Sequence, residues 1–194
     1  HGYDDVLDDY VLTQNISNVN GLGIEILGIA DLTGIEDFIA LEYLTAYGNQ
    51  LTTVDLSNNT ALKYLAISDN QLTSLNVNNN TALETILIQN NPLTNLDVSA
   101  NTALTRLQCW GMDLTSLDVS SNTVLIVLEC NINNITSLDV SANTALTSLH
   151  CAENQLTSLD VSTNTALTQL ICNYNQLTSL DVSSNTALTQ LYCG

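Results

Sequence analysis

The sequence predicts a solenoid of stacked parallel β-strands, and three observations lead to this fold class. Within each 21-residue unit, apolar residues at positions 4 and 6, and again at 14 and 16, alternate as inward-facing strand residues do. One unit cannot bury its own apolar edge, so the units must stack to form a continuous core. The first position of the unit is a leucine that recurs without insertion or deletion, at Leu41, Leu62, Leu83, Leu104, Leu125, Leu146, Leu167 and Leu188.

The repeat divides the chain into two predicted parts. Seven complete units run from Leu41 to Ala187 and an eighth stops at Gly194, so residues 41–194 form the predicted repeat array. Each unit is expected to contain two short strands joined by corners, and the protein is expected to contain little helix. Residues 1–40 are assigned to an N-terminal cap, which includes the acidic Asp4–Asp9 segment, and to an irregular first repeat. We expect more repeats or a cap to follow Gly194.

The charge balance excludes several classes of partner. The chain of 194 residues has 20 acidic and 2 basic side chains, and its formal net charge is −18 at pH 7. Two cations cannot neutralise a row of phosphates or hold a protein on an anionic membrane, so nucleic-acid and membrane-surface binding are not expected. No run approaches the roughly 20 apolar residues of a membrane span, so membrane insertion is not expected either. We expect a monomer.

The repeat resembles those of the leucine-rich repeat family. The pattern LxxLxLxxNxL is matched by Leu62, Leu65, Ile67, Asn70 and Leu72. The longer motif LTSLDVSxNTALTxLxC looks like the 21-residue repeats of bacterial surface and secreted proteins, and the segment Gly28–Leu44 is similar to first repeats of internalins. This resemblance implies a leucine-rich repeat solenoid, an extracellular or cell-surface location in a bacterium, and protein partners.

Cysteine recurs at position 6 of the later units. The same row holds Ala46, Ile67 and Ile88 in the earlier units, and free cysteine packs as a small hydrophobic residue. An odd number of thiols in a tightly packed row argues against disulfides, and a straight row does not converge on a metal ion. We therefore predict structural packing for all five cysteines, which are Cys109, Cys130, Cys151, Cys172 and Cys193.

Several polar rows are nearly uniform along the array. Asparagine at position 9, interrupted by Met112, is predicted to bond the backbone of neighbouring turns. Threonine at positions 12 and 20 and asparagine at position 19 (Asn59 to Asn185) are expected to bond their own backbone at the corners. We predict that these rows have a structural role and do not form a functional site.

A row of aspartates occupies position 15 and allows two interpretations. Hydrogen bonds from flanking hydroxyls would offset the repulsion between the carboxylates. Alternatively, weak Ca²⁺ binding is conceivable because hard cations take oxygen ligands, although one carboxylate per unit is a poor site. No other cofactor is expected. The candidates for this weak cation site are Asp97, Asp118, Asp139, Asp160 and Asp181.

The residues that vary between units lie at positions 3, 5, 7 and 8, on the predicted concave face. Most tyrosines and the single tryptophan fall in these rows, and aromatic residues and arginine dominate recognition surfaces. The candidate ligand-binding residues are Tyr43, Tyr47, Tyr64, Arg106, Gln108, Trp110, Glu129, Asn131, His150, Glu153, Tyr174 and Tyr192.

No catalytic arrangement stands out in the sequence. Glu129, Glu153 and His150 are near one another in the repeat register, but an open sheet offers little of the enclosure that general acid–base catalysis needs. We therefore expect a non-catalytic recognition module that binds a protein or a polysaccharide. The alternative is a structural spacer without a ligand, which the near-identical repeats favour, and ice binding by the threonine rows ranks below both.

Overall fold

The computed structural model describes residues 13–194, in which one parallel sheet runs the length of the array. The acidic segment Asp4–Asp9 lies outside the described residues. Within residues 13–194, helix is confined to an α-helical turn at Thr13–Ile16 and a 3-10 turn at Ile35–Asp37. The strands are β1 (Gly21–Gly23), β2 (Tyr43–Thr45), β3 (Tyr64–Ala66), β4 (Thr85–Leu87), β5 (Arg106–Gln108), β6 (Val127–Glu129), β7 (Ser148–His150), β8 (Gln169–Ile171) and β9 (Gln190–Tyr192).

The strands pair in sequence order and in one register. Tyr43 pairs with Tyr64, 21 residues later, and this spacing continues to β9. Gly21 pairs with Tyr43, so β1 joins the same sheet from the segment assigned to the cap and irregular first repeat. The prediction of a parallel solenoid with almost no helix is confirmed.

The core is a set of parallel rows of aliphatic side chains. Leucines at positions 1, 4 and 11 are fully buried through most of the array. Cys109, Cys130, Cys151 and Cys172 are also buried, as free thiols. The prediction that all five cysteines pack in the core is wrong for Cys193, which is exposed in the last described turn.

The second predicted strand of each unit does not form. Leu138 and Val140, at positions 14 and 16, are buried as expected, but the segment pairs with no neighbour. Its backbone groups are used locally instead. The Ser141 N–H donates to Asp139 Oδ1 at 2.9 Å, and the Asn143 N–H donates to the Val140 carbonyl at 2.9 Å. These bonds use groups that a β-ladder would need, so each unit has one strand and not two.

Asparagine at position 9 links each turn to the one before it, as predicted. Asn154 Nδ2 donates to the Cys130 carbonyl of the preceding turn at 3.0 Å and to the Cys151 carbonyl of its own turn at 3.1 Å. Its Oδ1 accepts the Ile135 N–H at 3.0 Å. Where Met112 replaces asparagine, the Leu93 N–H turns to the Asn91 carbonyl at 2.8 Å.

Asparagine at position 19 forms a second row of hydrogen bonds between turns, or asparagine ladder, where bonds to its own backbone were expected. Asn143 Nδ2 donates to the Val119 and Asn122 carbonyls of the preceding turn, both at 2.9 Å. The expectation that this row bonds its own backbone is therefore wrong for the amide nitrogen. A side chain that points inward, and is fully buried like Asn143, reaches the carbonyls of the turn beneath it.

Candidate functional site

The outward side of the sheet forms a continuous surface, which we call the strand face. It comprises positions 3 and 5 on each strand and positions 7 and 8 just beyond it. The register places Arg106 beside Val127 on neighbouring strands. It also places Gln108 beside Glu129, and Glu129 beside His150. The central candidate residues therefore lie on three adjacent strands, β5 to β7.

The central group makes few contacts within the protein. Gln108 Nε2 donates to Glu129 Oε1 at 2.9 Å, and Ser148 Oγ lies 3.3 Å from His150 Nε2. Within residues 13–194, one ion pair is found, between Lys63 and Glu42, and Arg106 takes no part in it. Polar groups of the central strands therefore remain available to a partner.

The aromatic candidates lie mainly towards the two ends of the sheet. Tyr43 and Tyr64 face each other across β2 and β3, and Tyr47 lies just beyond β2. Tyr174 and Tyr192 lie at the other end, after β8 and on β9, and both are exposed. Trp110 follows β5 in the centre, with Asn131 and Glu153 at the corresponding ends of the next two strands. The candidates form three groups along one face.

Position 8 has a left-handed backbone in all seven complete units. Glycine fits this conformation without strain, but a β-branched residue there is a true outlier. Ile132 has a φ of 55° and Tyr174 the same value. This conformation was not predicted from the sequence, although glycine and asparagine, which adopt positive φ most readily, recur in the row as Gly48, Asn90 and Gly111. The row consists of Gly48, Asp69, Asn90, Gly111, Ile132, Glu153 and Tyr174.

The aspartate row lies away from the strand face and is satisfied locally. Asp97 accepts the backbone N–H of Ser99 at 2.9 Å and its hydroxyl at 2.7 Å. These bonds lower the pKa of the Asp97 carboxyl, and the neighbouring Asp118 charge raises it by a smaller amount. Hydrogen bonds from the flanking residues thus account for how the row tolerates its neighbouring carboxylates. In the described part of the chain, no three His, Cys, Asp or Glu side chains are grouped as a metal site would need.

Solved structures place this architecture among known proteins. The functional domain of InlJ from Listeria monocytogenes, which includes a cysteine ladder, matches with a TM-score of 0.76 and 38% identity, over 92% of this chain and 45% of that one. A leucine-rich repeat protein of Leptospira interrogans matches with a TM-score of 0.86 and 23% identity, over 92% of this chain and 50% of that one. The chain is a leucine-rich repeat solenoid.

A third match, internalin C2 of Listeria monocytogenes, has a TM-score of 0.84 at 19% identity, over 93% of this chain and 84% of that one. The leucine-rich repeat solenoid spans about half the length of the first two proteins. No protein-family model and no curated protein matches its sequence. No helix among residues 13–194 is long and apolar enough to cross a membrane.

Proposed function

We propose that this leucine-rich repeat solenoid is a non-catalytic recognition module whose strand face binds a partner protein. We place it within a larger bacterial protein that is secreted or held at the cell surface. The fold supports a protein partner because leucine-rich repeat and internalin-like domains commonly serve protein interaction. Residues Glu129, His150 and Glu153 then act as contact residues and not as catalysts.

One observation carries this proposal. The rows that hold the scaffold together, such as the two asparagine ladders, repeat from turn to turn, and their side chains form hydrogen bonds within the protein. The rows on the strand face vary from turn to turn, and their side chains form few hydrogen bonds within the protein. Variation that places aromatic residues and an arginine on one exposed face is the pattern expected of a binding surface.

We expect Trp110→Ala and Tyr64→Ala to lower binding of the labelled chain to cell surfaces about tenfold or more. Buried aromatic anchors contribute about 2 kcal/mol or more to an interface. Cell binding is measured by flow cytometry, and a glycan array is run in parallel in calcium and in chelator.

Thr115→Ala is the matched control because Thr115 is exposed and lies outside the strand-face rows. Equal binding by all three variants would contradict a strand-face site and would favour the spacer. Binding to the array that depends on Trp110, without binding to cell-surface protein, would replace the protein partner with a polysaccharide.

A further inference from the structure

Among the seven complete units, one departs from the others by exposing large aliphatic side chains. Val124, Ile126 and Ile132 have 45%, 42% and 44% of their surface exposed. In every other complete unit, the row of Val124 holds alanine. The row of Ile126 otherwise holds glutamate, lysine or threonine, and no other complete unit has an aliphatic side chain in the row of Ile132. Three independent rows thus change in the same direction around one strand, β6.

The fold does not require these residues. The neighbouring turns adopt the same register with alanine and threonine in two of the rows and with Gly111 or Glu153 in the third. Ile132 also has a left-handed backbone, which is unfavourable for a side chain with a Cβ. The other residues of its row and Ile26 of the irregular first repeat share this backbone, so the conformation comes from the fold and does not by itself mark Ile132 as functional.

The exposed side chains lie at the two ends of β6. Val124 and Ile126 precede β6, and Ile132 follows it, with Val127 and Glu129 between them on the strand face. Ile132 lies six positions after Ile126, a span of at most about 20 Å for extended backbone. We call Val124, Ile126, Val127, Glu129 and Ile132 the β6 stripe. Its two ends are apolar, at Val124 and Ile126 and at Ile132, and its centre carries the acidic Glu129.

The charges around the stripe define the partner further. Glu129 brings negative charge to its centre, Glu153 adds negative charge beside Ile132 one turn later, and Arg106 is the only cation on the adjacent strands. The chain as a whole carries a net charge of −18. A second copy would therefore meet this surface with like charge, whereas basic side chains complement it.

We propose that the β6 stripe is the docking centre for a protein segment that carries apolar side chains on both sides of a lysine or arginine. This inference rests on the proposed function and adds the chemistry of the partner. Polysaccharides stack on aromatic rings but offer no side chains for two separate aliphatic ends. The stripe therefore favours a protein segment.

The test uses a phage-displayed library of random peptides as the probe, selected on the full chain. Selected peptides are expected to carry apolar residues on both sides of a lysine or arginine. Their affinity is then measured for a triple variant, Val124→Ala/Ile126→Thr/Ile132→Gly, which takes residues found in the same rows of other turns. This variant is expected to fold with an equal or higher melting temperature, because the Ile132→Gly substitution relieves the left-handed strain, and to bind at least tenfold more weakly.

Ile26→Gly is the matched control. Ile26 is the same residue type with the same left-handed backbone, and it lies in the irregular first repeat, outside the unit positions that define the strand face, so its replacement tests the backbone change without touching the stripe. Peptide affinity is expected to be unchanged in this variant.

Three outcomes would overturn the proposal. The first is that the selected peptides bind the triple variant as tightly as the wild type, or contain no basic residue. The second is that no peptide is selected and the chain instead forms a dimer that the triple substitution disrupts. The third is glycan binding that the triple substitution removes. If Trp110→Ala abolishes binding but the triple substitution does not, the inference fails and the proposed function stands; if neither substitution changes binding, both fail.

Discussion

Replacing Asn154 by aspartate is expected to lower the free energy of unfolding by about 3–5 kcal/mol at pH 7. The amide nitrogen donates to the Cys130, Cys151 and Ala152 carbonyls at 3.0, 3.1 and 3.2 Å. A carboxylate in its place would turn a buried negative charge towards three carbonyl oxygens. Burial and these oxygens favour the protonated acid, so the pKa of the new carboxyl is raised in the folded protein. The loss is therefore smaller at pH 4 than at pH 7, as urea unfolding at the two pH values would show.

Asn134→Asp provides the matched control for this substitution. Asn134 is exposed and only accepts a hydrogen bond, from Gln155 Nε2 at 3.2 Å, which a carboxylate also accepts. We expect its effect to stay within about 0.5 kcal/mol. A comparable loss in both variants, or a loss at Asn154 that does not depend on pH, would contradict the role assigned to the ladder.

The protein is also expected to lose stability steeply above pH 9. Burial raises the pKa of Cys109 to about 12 and that of Cys172 to about 11, with a smaller contribution from Glu129 and Cys193 respectively. Burial likewise raises the pKa values of Cys130 and Cys151 well above the usual range for a thiol.

The direction of this pH dependence follows from the pKa shifts. The folded state keeps these thiols protonated, whereas the unfolded state releases their protons near pH 9. The stabilisation is thus complete below pH 9 and is lost as the pH rises towards 12. Each thiol contributes about 1.4 kcal/mol per pH unit, so the four buried thiols together lower the unfolding free energy by about 5 kcal/mol per unit.

Urea unfolding under reducing conditions between pH 8 and pH 10.5 would measure this slope. Cys130→Val/Cys151→Val is the comparison variant, because Ile67 and Ile88 show that the row accepts branched aliphatic side chains. Two of the four buried thiols are removed, so the part of the slope due to thiols should halve. An unchanged slope would show that alkaline unfolding has another cause.

The sequence predicted the solenoid because its period is strict. Leucine rows such as Leu104 and Leu125 can be buried only by stacking, and the position 9 asparagines had one plausible set of partners. The second strand was predicted wrongly because alternation at Leu138 and Val140 reports which side chains are buried and not which backbone groups pair. The exposure of Cys193 was missed because burial in this row requires a turn packed on each side.

The candidate site was predicted less completely than the fold. Comparing rows identified positions 3, 5, 7 and 8, and the register shows which of their residues are neighbours. The left-handed backbone at Ile132 was missed, because isoleucine itself argues against that conformation. The exposed Val124 and Ile126 were missed because their rows are dominated by alanine and by polar residues, so only one turn carries the signal.

A variant without the candidate contact residues tests the central claim most directly. All twelve candidate residues named from the sequence are replaced, with glycine at Glu153 and Tyr174 and threonine at the others, while every ladder and core residue is kept. Unfolding free energy and binding to cell surfaces are measured side by side with the wild type. We expect the unfolding free energy to stay within about 2 kcal/mol of the wild type and binding to be lost. Retained binding by the folded variant would contradict the claim that these twelve residues recognise the partner.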